Sequence, residues 1–129
     1  MKRVSWISLI TLLLVIVLAG CSSQEEKMIN HIDNIAKILT SNKDNPDKVG
    51  DELQQYVNEN KDEIKQLGED LDKKTKKMSK EEKKKYDEKW QPRLEKPMKK
   101  ILEAATNQKL MTNPKVQQAM KDLGNILPL

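Results

Sequence analysis

Residues 46–77 read PDKVGDELQQYVNENKDEIKQLGEDLDKKTKK, and their rhythm decides the fold. Val49, Leu53, Tyr56, Val57, Ile64, Leu67 and Leu71 recur at spacings of three and four, which lines them along one face of a helix. Asn45 before Pro46 is a cap followed by a favoured first-turn residue, so a long helix is predicted from Pro46 to Lys77. Asn60 stands where another apolar residue would fit, and a division into two helices near residues 58–60 is the alternative. Gly50 and Gly68 each cost about 1 kcal/mol relative to Ala inside a helix. Gly68 is a place where the helix can bend or admit a close neighbour.

The same rhythm continues on both sides. Upstream, Met28, Ile29, Ile32, Ile35, Ala36 and Leu39 form a stripe, and Ser23 with Glu26 has capping-box spacing, predicting a helix from about Gln24 to Leu39. The connector TSNKDNP at residues 40–46 is polar. Downstream, Ser79 and Glu82 repeat the capping-box spacing, and Tyr86, Trp90, Leu94, Met98, Ile101, Leu102 and Ala105 carry the stripe of a third helix. Pro92 and Pro97 interrupt it. An interior proline loses a hydrogen bond and clashes with the preceding turn, at about 3 kcal/mol, so a break near Gln91-Pro92 and a kink at Pro97 are expected. Asn113-Pro114 opens a last short helix with Val116, Ala119, Met120 and Leu123 inward and Gly124 in the place of a C-terminal cap. Ile126, Leu127 and Leu129 should fold back as an apolar tail. No strand alternation and no internal repeat is present. The expected fold is all-α, a small bundle of three to four helices.

The chain has 129 residues, 24 Lys and Arg against 20 Asp and Glu, one His, one Cys and no Phe. That is room for one domain. A single cysteine excludes an intramolecular disulfide framework and a multi-cysteine zinc site. The net charge of +4 hides an uneven distribution. Residues 21–72 hold 6 Lys and 13 acidic side chains, whereas residues 73–100 hold 13 Lys or Arg and 5 acidic ones. Opposite signs on successive helices favour an antiparallel hairpin.

The first 20 residues stand apart. Met1-Lys2-Arg3 is basic, residues 4–19 (VSWISLITLLLVIVLA) are uncharged and mostly apolar, and Gly20-Cys21 is followed by the polar run SSQEE. This is the plan of a secretory signal peptide. The competing reading is a transmembrane anchor, but a run of 16 residues falls short of the roughly 20 that span a bilayer. Leu18-Ala19-Gly20-Cys21 resembles a bacterial lipobox, and its place after the apolar run makes the likeness specific, although it covers only these 21 residues. The resemblance implies a lipoprotein precursor. Residues 1–20 would be the signal peptide and residues 21–129 a lipid-anchored helical domain. The Cys21 thiol would carry S-diacylglycerol, cleavage would fall between Gly20 and Cys21, and the freed amino group would be N-acylated. Palmitate-type chains on Cys21 would be the only attached group, with no other cofactor. Ser22 follows where Asp would favour the inner membrane, so for a Gram-negative cell the resemblance points to the outer membrane, facing the periplasm. An ordinary signal-peptidase cut beside a free thiol is the plainer alternative.

Catalytic chemistry is poorly supplied. His31, the sole histidine, reads as a surface or half-buried residue, and Cys21 is taken by the anchor, so neither a Ser-His-Asp nor a Cys-His arrangement is credible. The carboxylate pairs Glu25-Glu26, Asp51-Glu52 and Glu69-Asp70 read as solvated helix faces. There is no Gly-rich phosphate loop. A non-enzymatic protein that holds the membrane by its lipid and binds another envelope protein is the leading expectation. Tyr86 and Trp90, one turn apart beside the proline break, are the candidate partner contact; core packing is the plainer reading. Lys73, Lys74, Lys76, Lys77, Lys80, Lys83, Lys84 and Lys85 are a candidate surface for anionic lipid or wall polymer. The plainer reading there is a solvated turn that pairs with the acidic helix. Nucleic acid is not expected as a partner of an exported chain whose mature part has Arg93 as its one arginine. No metal site is expected.

Overall fold

The computed structural model describes residues 23–127, and all regular structure among them is α-helical. The helices are α1 (Gln24–Ser41), α2 (Pro46–Lys76), α3 (Lys80–Ala105), α4 (Gln108–Met111) and α5 (Pro114–Ile126). The bundle is all-α, as the apolar rhythm requires. The expected signal peptide, the expected cleavage between Gly20 and Cys21 and the expected lipid attachment at Cys21 fall outside the described residues, as does Leu129.

The starts of the helices are set by side chains that accept from otherwise unpaired backbone N–H groups. Ser23 accepts from Glu26 N, Asn45 from Lys48 N, and Asn113 from Lys115 N and Val116 N. At α3 the capping box is complete, with Ser79 Oγ accepting from Glu82 N and Glu82 Oε2 from Ser79 N.

Helix α2, 31 residues and about 46 Å long, is the spine. It is unbroken through residues 58–60, where Asn60 Nδ2 donates to the Tyr56 carbonyl. Helix α1 runs antiparallel to it, since Gln24 bonds to Asp70 and Asn34 to Tyr56. Helix α3 packs mainly on α1 and runs parallel with it. Helix α5 packs on the first half of α2, also in parallel: Asn113 bonds to Asp47, Lys115 to Asp51, and Gln54 to Asp122. The approach is close. A Cβ on Gly50 would stand 2.5 Å from Lys115 Cβ and 2.9 Å from Val116 N. Gly50 therefore makes room for the start of α5.

The main core sits at this end. Leu39, Val49, Leu53, Leu110, Val116 and Ala119 are its most enclosed members. Burying a Val or Leu side chain fully contributes about 1.5–3 kcal/mol.

Three expectations are corrected. Helix α3 does not break at Gln91-Pro92; both prolines lie inside one helix of 26 residues. Pro92 is exposed, and buried Trp90, Pro97 and Ala104 hold the helix on both sides of it. Gly124 is no C-cap: α5 continues to Ile126, and no described glycine has positive φ. His31, read as a surface or half-buried residue, is only 8% exposed. The short α4 was not expected; Asn107 caps it, and fully buried Leu110 pins it.

Candidate binding cleft

The cleft arises from helix lengths. With 13 residues, α5 spans about 20 Å and covers only part of α2. Beyond its end, α1 packs against both α2 and α3 and forms the floor between them. Two adjoining recesses fill the gap and share Met28, Ile32 and Leu71. The larger, about 500 Å³, is walled by Gly68 and Leu71 of α2, Met98 and Ile101 of α3, Met120 of α5 and Leu127 just past its end. The smaller, about 350 Å³, reaches the start of α1 and is closed by Tyr86, Trp90 and Leu94. Asp72 and Thr75 are the polar residues of the larger recess. Met98 remains 42% exposed at the rim.

Polar pairs fasten the cleft at the end where α1 begins. Glu25, only 6% exposed, takes a hydrogen bond and charge from Lys74 and contacts the Tyr86 hydroxyl. Burial pushes the Glu25 carboxyl upward, but the Lys74 hydrogen bond, a backbone N–H, the Lys74 charge and the Tyr86 contact outweigh it. The net result lies below the ordinary value of 4.5. Tyr86 moves the other way, to about 12, through burial and then the Glu25 charge and hydrogen bond. Arg93 Nη1 lies 3.3 Å from Glu26 Oε1, a second tie between α3 and α1.

The sequence-selected residues fall into three groups. Tyr86 and Trp90 both line the smaller recess and lean on each other, with ring centroids 6.4 Å apart. Trp90 is 8% exposed and holds Lys89 and Arg93 over its ring at 4.8 and 5.3 Å. It is a wall of the cleft, closer to a packed junction than to a projecting anchor. Of the eight candidate lysines, Lys74 joins α1 through Glu25, while Lys76 pairs with Asp72 and Lys85 with Glu81 along their own helices. Among the described residues, Lys73, Lys77, Lys80, Lys83 and Lys84 have no carboxylate within ion-pair distance.

His31 has a structural setting. Its Nδ1 lies 2.6 Å from Tyr56 Oη and its Nε2 3.4 Å from Glu63 Oε2, and Asn34 Nδ2 donates to the same tyrosine oxygen. Burial, then the Glu63 charge, hold the Tyr56 hydroxyl above its usual value against the Asn34 hydrogen bond. These links staple α1 to α2. Among the described residues no three His, Asp, Glu or Cys side chains gather as a metal site. Nor is any described helix long and apolar enough to cross a membrane.

Sequence reasoning missed the methionine wall and the cleft itself. Met28, Met98 and Met120 each sit on a recognised stripe, but only the pairing of helices brings them to one gap. Comparison with protein families, with curated proteins and with solved structures finds no match to this chain.

Proposed function

We propose that this chain is a lipid-anchored, non-enzymatic helical protein of the bacterial cell envelope that receives an amphipathic helix of another envelope protein. The observation that carries this reading is the cleft beyond α5, where the line of a fourth helix continues but the described residues supply none. From Glu25 to Ile35 its floor is about 15 Å long, enough for roughly three turns of a guest helix. Methionine-lined walls adapt to a guest's side chains, and helix-in-groove recognition needs only a few apolar anchors on one face. The lipobox likeness at Leu18-Ala19-Gly20-Cys21 supports the anchor, and a lipid at Cys21 begins three residues before α1.

A photo-crosslinking side chain at Met98, in the full chain produced in its own cell envelope, tests the reading. The expected adduct is with one envelope protein, at the apolar stripe of a helix, and it disappears when Leu94→Glu places a charge in the cleft. Adducts no more frequent than those from Lys43, at the opposite end of the bundle, would contradict it.

A further inference from the structure

The fold brings together two features that lie far apart in the sequence. Gln24 bonds to Asp70, and Glu25 bonds to Lys74, so the start of α1 lies beside the end of α2. Tyr86 of α3 also contacts Glu25, and Lys74 Nζ lies 5.8 Å from the centre of the Tyr86 ring. The turn between α2 and α3 therefore belongs to the end of the bundle at which α1 begins. It also reaches further. Lys77 is about 5 Å of helix beyond Lys74, and Lys80 about 9 Å before Tyr86, so the turn projects past the first residues of α1. Three residues of chain from Cys21 to Gln24 span at most about 10 Å. A lipid on Cys21 thus cannot enter a bilayer without bringing this turn to the headgroups.

The charge at the turn is strongly one-sided. Residues 73–85 hold eight lysines and two glutamates. The opposite end, by contrast, interleaves Lys43 and Lys48 with Asp44 and Asp47. Lys73, Lys77, Lys80, Lys83 and Lys84 are exposed and, as described above, have no carboxylate partner among the described residues. Lys74 is fixed by Glu25, which sets the turn's position while its neighbours stay available.

We propose that residues 73–85 are a second, electrostatic anchor, docking on anionic phospholipid headgroups of the leaflet that holds the Cys21 lipid. The inference rests on lipidation at Cys21. The lipid fixes the bundle to the membrane. The lysines fix its attitude, with α1, α2 and α3 standing on the surface and the main core directed away. Two signals of this kind attach a protein far more stably than either alone. An anionic surface favours each nearby lysine by a factor of about five. Four lysines therefore suffice to hold one orientation against free tumbling on the tether.

The test uses the lipidated protein in vesicles of phosphatidylcholine, with and without phosphatidylglycerol, labelled by an amine-reactive reagent and read residue by residue by mass spectrometry. Labelling at Lys77, Lys80, Lys83 and Lys84 is expected to slow about fivefold on the anionic vesicles, while Lys43 and Lys109 at the other end are unchanged. About 1 M salt, which shortens screening to about 3 Å, should abolish the difference. Equal labelling on both vesicles, or slowing shared by Lys43 and Lys109, overturns the proposal and leaves the lipid anchor standing. Slowing produced by a soluble anionic wall polymer on neutral vesicles, and not by phosphatidylglycerol, also overturns it. An intact mass without lipid on Cys21 overturns both this proposal and the anchored reading.

Discussion

Replacing Gly50 by Ala sets helix propensity against packing, and the two predict opposite signs. In an exposed helix interior the change would stabilise by about 1 kcal/mol. At Gly50 the added methyl would lie 2.5 Å from Lys115 Cβ, 2.9 Å from Val116 N and 3.0 Å from the Lys115 carbonyl carbon. Carbon atoms in ordinary contact stand about 3.5–4.0 Å apart, so the start of α5 must retreat by about 1 Å. These are backbone atoms and the root of a side chain, and they cannot rotate away. Overpacking of this kind costs about 1–3 kcal/mol, and Val116, which is fully buried, moves with the backbone. The propensity gain offsets about 1 kcal/mol of that, leaving a net loss of up to about 2 kcal/mol. For a domain of this size the melting temperature should fall by up to about 10 °C. Gly124 is the internal control: it lies within α5, and nothing approaches its added Cβ within 4 Å. Gly124→Ala should stabilise by up to about 1 kcal/mol. Thermal and urea unfolding followed by helical circular dichroism reads both variants. A Gly50→Ala protein that is more stable than the parent refutes the close docking of α5 on α2.

Further predictions concern the pairs that hold α1. The Glu25 carboxyl is depressed in the folded state, so its contribution is present above the ordinary value of 4.5 and is lost as pH falls through the folded value. Glu25→Gln should cost about 1 kcal/mol near neutrality and flatten the acid limb of stability against pH, measured by urea unfolding. Tyr86 has the opposite sense, raised to about 12: its contribution is complete below pH 10 and declines as pH rises from 10 toward about 12. Tyr86→Phe should remove that alkaline decline; an unchanged alkaline limb would contradict the Glu25–Tyr86 contact. Tyr56→Phe takes the hydroxyl from His31 Nδ1 and Asn34, and should destabilise by about 1–3 kcal/mol in the same assay.

Local chemistry made the helices legible. Ser23, Asn45, Ser79 and Asn113 each mark a helix start by their own side chains, and the stripe from Val49 to Leu71 needs no tertiary information. The failures came where a local cost met a distant compensation. Pro92 and Pro97 carry a strong breaking signal, but α3 is held on both sides by burial of Trp90 and Ala104 against other helices. Gly124 resembles a cap because of its position, yet α5 runs through it toward Ile126 and Leu127, which pack on the core. His31 is buried because Tyr56 and Glu63 meet it from α2, a pairing set by the hairpin register. The cleft was least legible, since it exists only because α5 is short beside α2 and α3. Tyr86 and Trp90 were singled out for their chemistry, and they do line it; their methionine neighbours across the gap gave no comparable local signal.

The central claim is that Cys21 ties this bundle to a membrane. The direct measurement is the intact mass of the protein recovered from the membrane fraction of its own cells, with Cys21→Ser processed alongside. The account predicts a chain of residues 21–129 carrying a diacylglyceryl thioether and an acylated amino group, and a Cys21→Ser protein that stays unlipidated and uncut. A membrane-bound protein of 129 residues, or one cut at Cys21 with an unmodified thiol, would contradict it.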